Sequence, residues 1–318
     1  MGKLQSVSSD RNLTRLIASS AASNLADGAL QTVLPLVALS ITRDPAAFAT
    51  VALVARLPWL LVALPAGALA DRLDRRRTMV LVNLGRVVVL GALTLVVAAG
   101  SQELWMLCVV AFVLGVGETL FDTAGQSILP NLVHDPRQLE RANSRLYAVE
   151  LTANQFVGPA VGGVVAGLAL AAGVATSTIA YLLGAVALTT IAGTFRARPP
   201  ESATARRSMR HDIADGLRYL ARHQLLRSLA LVVGLSNLAS STAFAVFPLY
   251  AVAPGPMGLS GAGFGLLMAA LAAGSVGGTF LAGPLLRRLG TRRTLAVAMA
   301  AGAAMYAVPA LTANPWAV

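Results

Sequence analysis

Apolar stretches long enough to cross a bilayer, each on the order of 20 residues, recur along almost the whole chain. They fall at about 13–39, 46–70, 78–99, 104–127, 143–171, 175–195, 226–251, 260–286 and 293–312, and Asn314-Pro315-Trp316 would open a tenth. Backbone N–H and C=O groups inside hydrocarbon must pair within the protein, so runs of this length are helices that span. Composition agrees, with 56% apolar residues, 12% charged residues and a mean hydropathy of +0.69. The first apolar run is too long for a cleavable leader and lacks a small-residue cleavage site after a short core, so it is expected to stay and span.

Charge fixes an orientation. Of the 25 lysines and arginines, Arg43 falls on one side of the predicted bundle, Arg56 and Arg86 fall within spans, and the rest lie on the other side. By the positive-inside rule that side is cytoplasmic, and it carries the N-terminus and the long 196–225 segment. The formal net charge of +11 is thereby explained by helix ends facing anionic lipid, and no nucleic-acid partner is implied. Cys108 is a single thiol in a predicted helix, and His134, His211 and His223 lie in polar segments. One cysteine and scattered histidines build neither a disulfide nor a metal framework. No nucleophile–base arrangement or phosphate-binding loop is present in the sequence, so the expectation is a protein with no catalytic residues, metal or cofactor.

The twelve residues GALADRLDRRRT at 67–78 return as GPLLRRLGTRRT at 283–294, identical at Gly, Leu, Arg, Leu, Arg, Arg and Thr. Each copy sits between two apolar runs, which is the pattern of a duplicated helical bundle. The expected organisation is a six-helix bundle over 1–195, a polar linker over 196–225 and the start of a second bundle over 226–318. Pro199-Pro200 opens the linker, and Ile213, Leu217, Leu220 and Leu225 are spaced for an amphipathic interfacial helix. Projecting the repeat forward puts the end of the second half beyond Val318. A fragment or a truncated gene product, unable to move substrate alone, is therefore the expectation.

At the second-to-third-span loop, GALADRLDRRRT resembles the signature loop of the major facilitator superfamily. The resemblance implies an all-α bundle of twelve spans, of which about nine to ten are present. It implies a cytoplasmic latch in which Gly67 allows close packing, Asp71 faces a helix N-terminus, Arg72 and Arg76 belong to the basic cluster, and Arg75 clamps Asp122 on the fourth span. The second copy has Arg287 at the position of the acid and Thr291 at that of Arg75, so the latch is expected to be one-sided. Gly158-Pro159-Ala160-Val161-Gly162-Gly163 is similar to the core of the antiporter motif of exporters in this superfamily, with Asn154 where that motif has glycine. Plain small-residue packing between spans two and five is the competing reading of the same residues. The exporter arginine expected four residues before Gly115 is replaced by Ala111. The phrases around these motifs resemble the branch containing the enterobactin exporter and macrolide or multidrug efflux carriers.

Ionisable residues within spans are costly and are functional candidates by default. Asp27 and Arg56 fall at similar depth on the first two spans and are expected to pair, with Asn24 extending the polar face one turn away. Arg86, Glu118, Asp122 and Glu150 form a second group on spans three to five. Glu118 and Asp122 share a helix face, where like charges hinder simultaneous ionisation. The expected function is proton-coupled export of a small amphipathic molecule, such as a drug, antibiotic or siderophore, by a multi-pass protein of a bacterial plasma membrane. Asn24, Asp27, Arg56, Arg86, Glu118, Glu150 and Asn154 are the candidate substrate or proton pathway. Substrate, protons and membrane lipid are the expected partners, and a monomer the expected state at full length. A non-transporting remnant or scaffold and a lysophospholipid transporter of the same fold are the alternatives.

Overall fold

The computed structural model describes residues 2–70, 73–133, 135–193, 195 and 218–314. Its helices are α1 (Gly2–Ile41), α2 (Pro45–Ala70), α3 (Arg75–Ala98), α4 (Leu104–Leu132), α5 (Pro136–Leu151), α6 (Gly158–Leu168), α7 (Leu170–Thr189), α8 (Gln224–Ala251) and α9 (Gly261–Leu311). A π-helical turn, Thr152–Val157, joins α5 to α6 into one long rod. Among the described residues there is no strand, only an isolated bridge between Val252 and Leu259. Eight helices in the described residues are long and apolar enough to cross a membrane. α9 carries the last two expected apolar runs, and Gly290, at φ 74° and ψ 165°, separates its two arms.

Local chemistry explains the starts and breaks. Asp74 caps α3 by accepting from the Arg77 N–H, and Asp135 caps α5 directly before Pro136, where a missing N–H costs nothing. Ser260 caps α9 in the same way. Spans five and six differ in register from their apolar runs: the fifth begins at Pro136, and the sixth ends at Thr189. The physical reason in the fifth is that Asp135 and Pro136 start the helix two turns before the apolar sequence does, leaving a polar arm at its head.

α1 packs along α6 and α7, α2 along α4, and α3 between α4 and α7, while α6 also meets α9. The interior is layered. One apolar cluster, with Leu30, Val33, Leu90, Leu107 and Val174, fills the end near the α3–α4 loop. A second, with Leu16, Met79, Phe121, Ile128, Leu188 and Ile191, fills the opposite end. Between them lies a polar belt of Ser19, Ser20, Ser23, Asn83 and Arg86, all buried. Asn83 Nδ2 donates to Ser23 Oγ at 2.8 Å, and Ser19 Oγ donates to the Gly184 carbonyl at 2.9 Å, tying α1, α3 and α7 together. A Cβ on Gly184 would stand 2.7 Å from Ser23 Oγ, so glycine there leaves the room that this belt needs.

Candidate functional site

Two apolar layers isolate the belt from both ends of the bundle, which makes its charged members expensive unless they face one another. Arg86, from α3, is 1% exposed. Its guanidinium lies 4.7 Å from the ring centre of Tyr181 and 5.7 Å from that of Phe121, within cation–π range of both. A Cβ on Gly117 would come within 2.6 Å of Arg86 Nε, so the bare α4 backbone at Gly117 is what admits the guanidinium. Arg86 Nη1 stands 3.9 Å from Asp27 Oδ1, and the Tyr181 phenol donates to the same oxygen at 2.5 Å. None of the three guanidinium nitrogens has a hydrogen-bond partner among the described residues.

Glu118 and Asp122, on α4, also act on Arg86 electrostatically. They are partly open, as is Asp27, whereas Arg86 and Tyr181 are sealed. Helices α3 and α7 thus supply a buried cation and a phenol, and α1 and α4 bring acids to them. Glu150 sits apart from Arg86, accepting from Ser20 Oγ at 2.8 Å. Asn154 lies in the π-helical turn, donating to Asn24 Oδ1 at 3.3 Å.

Several expected partnerships come out differently. Asp27 pairs with Arg86 rather than Arg56. Arg56 is exposed on α2 and acts on Glu118 electrostatically. Counting residues along a span fixes depth but leaves open which way around the helix a side chain points, and here α3, not α2, fills the space beside Asp27. Arg75 does not clamp Asp122: its Nη1 donates to the Ser127 carbonyl at 2.7 Å, because Ser127 lies one turn nearer the start of α3 than Asp122 does. Asp71 and Arg72 lie outside the described residues, and Gly67 falls in the last turn of α2. Arg76 donates through Nη1 to the Ile191 carbonyl. Asp74, which the sequence reading passed over, binds the same region through its second oxygen, accepting from the Phe195 N–H at 3.1 Å. Among the described residues of this loop, Asp74, Arg75 and Arg76 all engage backbone groups.

The Gly-Pro segment packs on α1 and α9 rather than on α2. A Cβ on Gly162 would stand 2.5 Å from the Ala29 carbonyl oxygen, and one on Gly163 would stand 2.6 Å from Gly265 Cα. On Gly158 it would meet Gly28 Cα at 2.7 Å. Pro159 is buried beside them. Consecutive Gly162 and Gly163 point to different neighbours because a helix turns about 100° per residue, given 3.6 residues per turn.

Similarities to known proteins accord with this arrangement. Residues 10–318 match the family described as transmembrane secretion effectors of the major facilitator superfamily. An uncharacterized MFS-type transporter of Bacillus subtilis (strain 168), YfiS, is 29% identical over 221 residues, which are 68% of this chain and 51% of that protein. The chain therefore spans about half the length of this relative. In fold, it is similar to a bacterial homologue of the human lysosomal transporter Spinster in an inward-facing, unoccupied conformation, with TM-score 0.68 at 15% identity over 90% of this chain and 64% of that one. It is also similar to a bacterial homologue of the iron transporter ferroportin in an inward-facing state, with TM-score 0.58 at 18% identity over 89% and 69% of the two chains. With the helical bundle, its intramembrane charges and the match along nearly its whole length, the chain belongs to the transmembrane secretion effector family of major facilitator transporters.

Proposed function

We propose that this protein exports a small amphipathic molecule across a bacterial plasma membrane in exchange for protons, with Arg86 as the fixed cation that acids on α1 and α4 share. The observation that carries this reading is the buried guanidinium with its three nitrogens free of hydrogen bonds, while Asp27, Glu118 and Asp122 surround it. Arg86, with the exposed Arg56 acting on Glu118, supplies two cations for three carboxylates, so at least one of them gains by holding a proton. A shift of α1 against α4 would change which acid Arg86 neutralises and so release that proton. The +11 charge distribution supports an N-terminus and a central linker on the cytoplasmic side. The two-bundle organisation and the role of Asp71, Arg72 and Arg75 in a cytoplasmic latch belong to the same reading.

The test uses everted membrane vesicles from cells expressing the complete open reading frame. A pH gradient is imposed, and the uptake of ethidium and of erythromycin is followed. Gradient-driven uptake of either compound is expected in the wild type, with loss in Asp27→Asn and Asp122→Asn at unchanged membrane content. Downhill exchange of substrate without a gradient should persist in at least one of these variants. Gradient-driven uptake that survives both substitutions would remove the proton assignment.

A further inference from the structure

Beside the charged belt runs a second, uncharged polar feature. Asn24 and Gln31 lie on the α1 face that also carries Asp27, at helical spacing. Across from them the π-helical turn presents Asn154 and Gln155. Asn154 Oδ1 accepts from Gln31 Nε2 at 2.6 Å and from Gln155 Nε2 at 3.2 Å, while Asn154 Nδ2 donates to Asn24 Oδ1. Asn24 Nδ2 in turn donates to the Ser20 carbonyl at 3.0 Å.

The π turn is what brings this group together. The Gly158 N–H reaches back five residues to the Ala153 carbonyl, and Pro159 has no N–H to offer the Asn154 carbonyl. That freed carbonyl lies against α1 where Gly28 leaves room: a Cβ on Gly28 would be 2.3 Å from it. The wide turn therefore pushes the Asn154 backbone onto α1 and sets its side chain among the α1 amides. Turns of this kind recur at functional sites.

Hydrogen-bond accounting shows what remains. Asn154 Oδ1 has taken two donors, its full capacity. Each glutamine spends one N–H on Asn154 Oδ1, which leaves its carbonyl oxygen and its second N–H. The other polar atom of Gln31 and of Gln155 has no partner among the described residues, and both side chains are exposed. Neighbouring charges are already engaged, Asp27 by Tyr181 and Arg86 and Glu150 by Ser20. What is left over is a pair of neutral amides, each offering acceptor and donor capacity, held at fixed separation by Asn154 at mid-span. Uncharged amides gain nothing facing hydrocarbon, which makes a polar ligand the fitting occupant.

We infer that Gln31 and Gln155, clamped by Asn154 between α1 and the π turn, form a recognition site for the hydroxyl groups of an uncharged, hydroxyl-rich amphipathic substrate. A hydroxyl both donates and accepts, so it can pair with the carbonyl oxygen and with the remaining N–H of either amide. The inference rests on the transporter reading above and names the substrate class for the exposed seam between α1 and the π turn.

The test measures binding, with no gradient and at one pH, to the protein from its complete open reading frame in nanodiscs. The probes are tritiated p-nitrophenyl glucoside and tritiated p-nitroanisole, which share an aromatic ring and differ in the sugar. The wild type is expected to prefer the glucoside by about tenfold or more, and Gln31→Met and Gln155→Met each to cut that preference by roughly tenfold, the worth of a desolvated hydrogen bond. Equal binding of the two probes, no binding of the glucoside, or a preference that survives both substitutions would overturn the inference. In the last case, a fall in melting temperature would mark the seam as structural glue only. Should Gln31→Met fail to fold, Gln155→Met decides alone, since Gln155 is exposed and, among the described residues, its side chain hydrogen-bonds its chain neighbour Asn154 alone. Proton coupling does not enter this measurement, so its failure and a failure here are separable.

Discussion

Replacing Asp27 by Asn should destabilise the protein more than replacing it together with Arg86. Unit charges 3.9 Å apart attract by about 4 kcal/mol at an effective dielectric near 20. Removing one member of a buried pair costs about 3–5 kcal/mol, because the survivor is left without a counter-charge. Arg86 is 1% exposed and Asp27 17%, so Arg86 is the member that cannot turn to solvent. Glu118 and Asp122 still face it, which places the expected loss for Asp27→Asn at the lower end, about 3 kcal/mol. Arg86→Met fills the slot between the Tyr181 and Phe121 rings with an apolar side chain and removes the stranded cation. The double variant should therefore be more stable than the sum of the two singles by about 2 kcal/mol or more. Reversible unfolding of the purified protein in mixed micelles of increasing SDS content, followed by tryptophan fluorescence, measures all three. Arg56→Met is the control, because Arg56 is exposed and pairs elsewhere: it should cost less than about 1 kcal/mol and add independently to Asp27→Asn. Additivity of Asp27→Asn with Arg86→Met, or strong coupling of Asp27 to Arg56, would refute the assignment of this pair.

Two further outcomes follow from close packing and from the charge pattern. Gly28→Ala places a methyl 2.3 Å from the Asn154 carbonyl oxygen and must part α1 from the π turn, at a cost of about 1–3 kcal/mol; Gly85→Ala meets nothing within 4 Å and should stabilise α3 by about 0.5–1 kcal/mol. Fluorescence-detected size-exclusion chromatography after heating ranks both, and a Gly28→Ala protein as heat-resistant as the wild type would contradict the packing. In a Cys108→Ser background, Ser101→Cys in the α3–α4 loop should react with an impermeant maleimide on intact cells, and Gln138→Cys at the head of α5 only after permeabilisation. The reverse pattern would invert the proposed orientation.

What the sequence made legible was what one dimension encodes. Apolar run length gave the spans, and the Asp-Pro step at Asp135 and Pro136 was in plain sight as a helix start, although the apolar run beyond it drew the predicted boundary inward. The grouping of Arg86 with Glu118 and Asp122 was also readable, since all three are charged residues at comparable depth. Azimuth was not. Asp27 meets Arg86 because α3 lies beside α1 at that level, and Arg75 meets a backbone carbonyl because no acid sits at its height on α4. Neither fact leaves a mark in residue spacing. Gln31 and Gln155 are neutral and, unlike Asn24 beside Asp27 or Asn154 at a motif position, stand at no charge or motif that would mark them. A signal was available in the i, i+3, i+7 series Asn24, Asp27 and Gln31, a polar stripe on an otherwise apolar helix.

The layered interior explains how one bundle can hold both a charged and an uncharged site. Apolar packing at the two ends of the belt excludes water from Arg86 and Tyr181, so the charge pairing there is strong and selective for carboxylates. The amide seam continues along the same face of α1, at the π turn, where the Gln31 and Gln155 side chains are exposed. α1 is common to both, with Asp27 and Gln31 one turn apart. On the proposed reading, a ligand held at Gln31 and Gln155 would act on the helix whose carboxylate faces Arg86, and a rotation of α1 would bear on both the Asp27–Tyr181 and the Gln31–Asn154 hydrogen bonds. Substrate and proton would in this way act on one mechanical element, which is the minimum that coupling by linkage requires: each must bind the two orientations of α1 with different affinity. The glycines at 28, 158 and 162 fit that role. They replace interlocking side chains with smooth backbone contact along the α1–α6 seam, so α1 can turn there without unthreading a packed core.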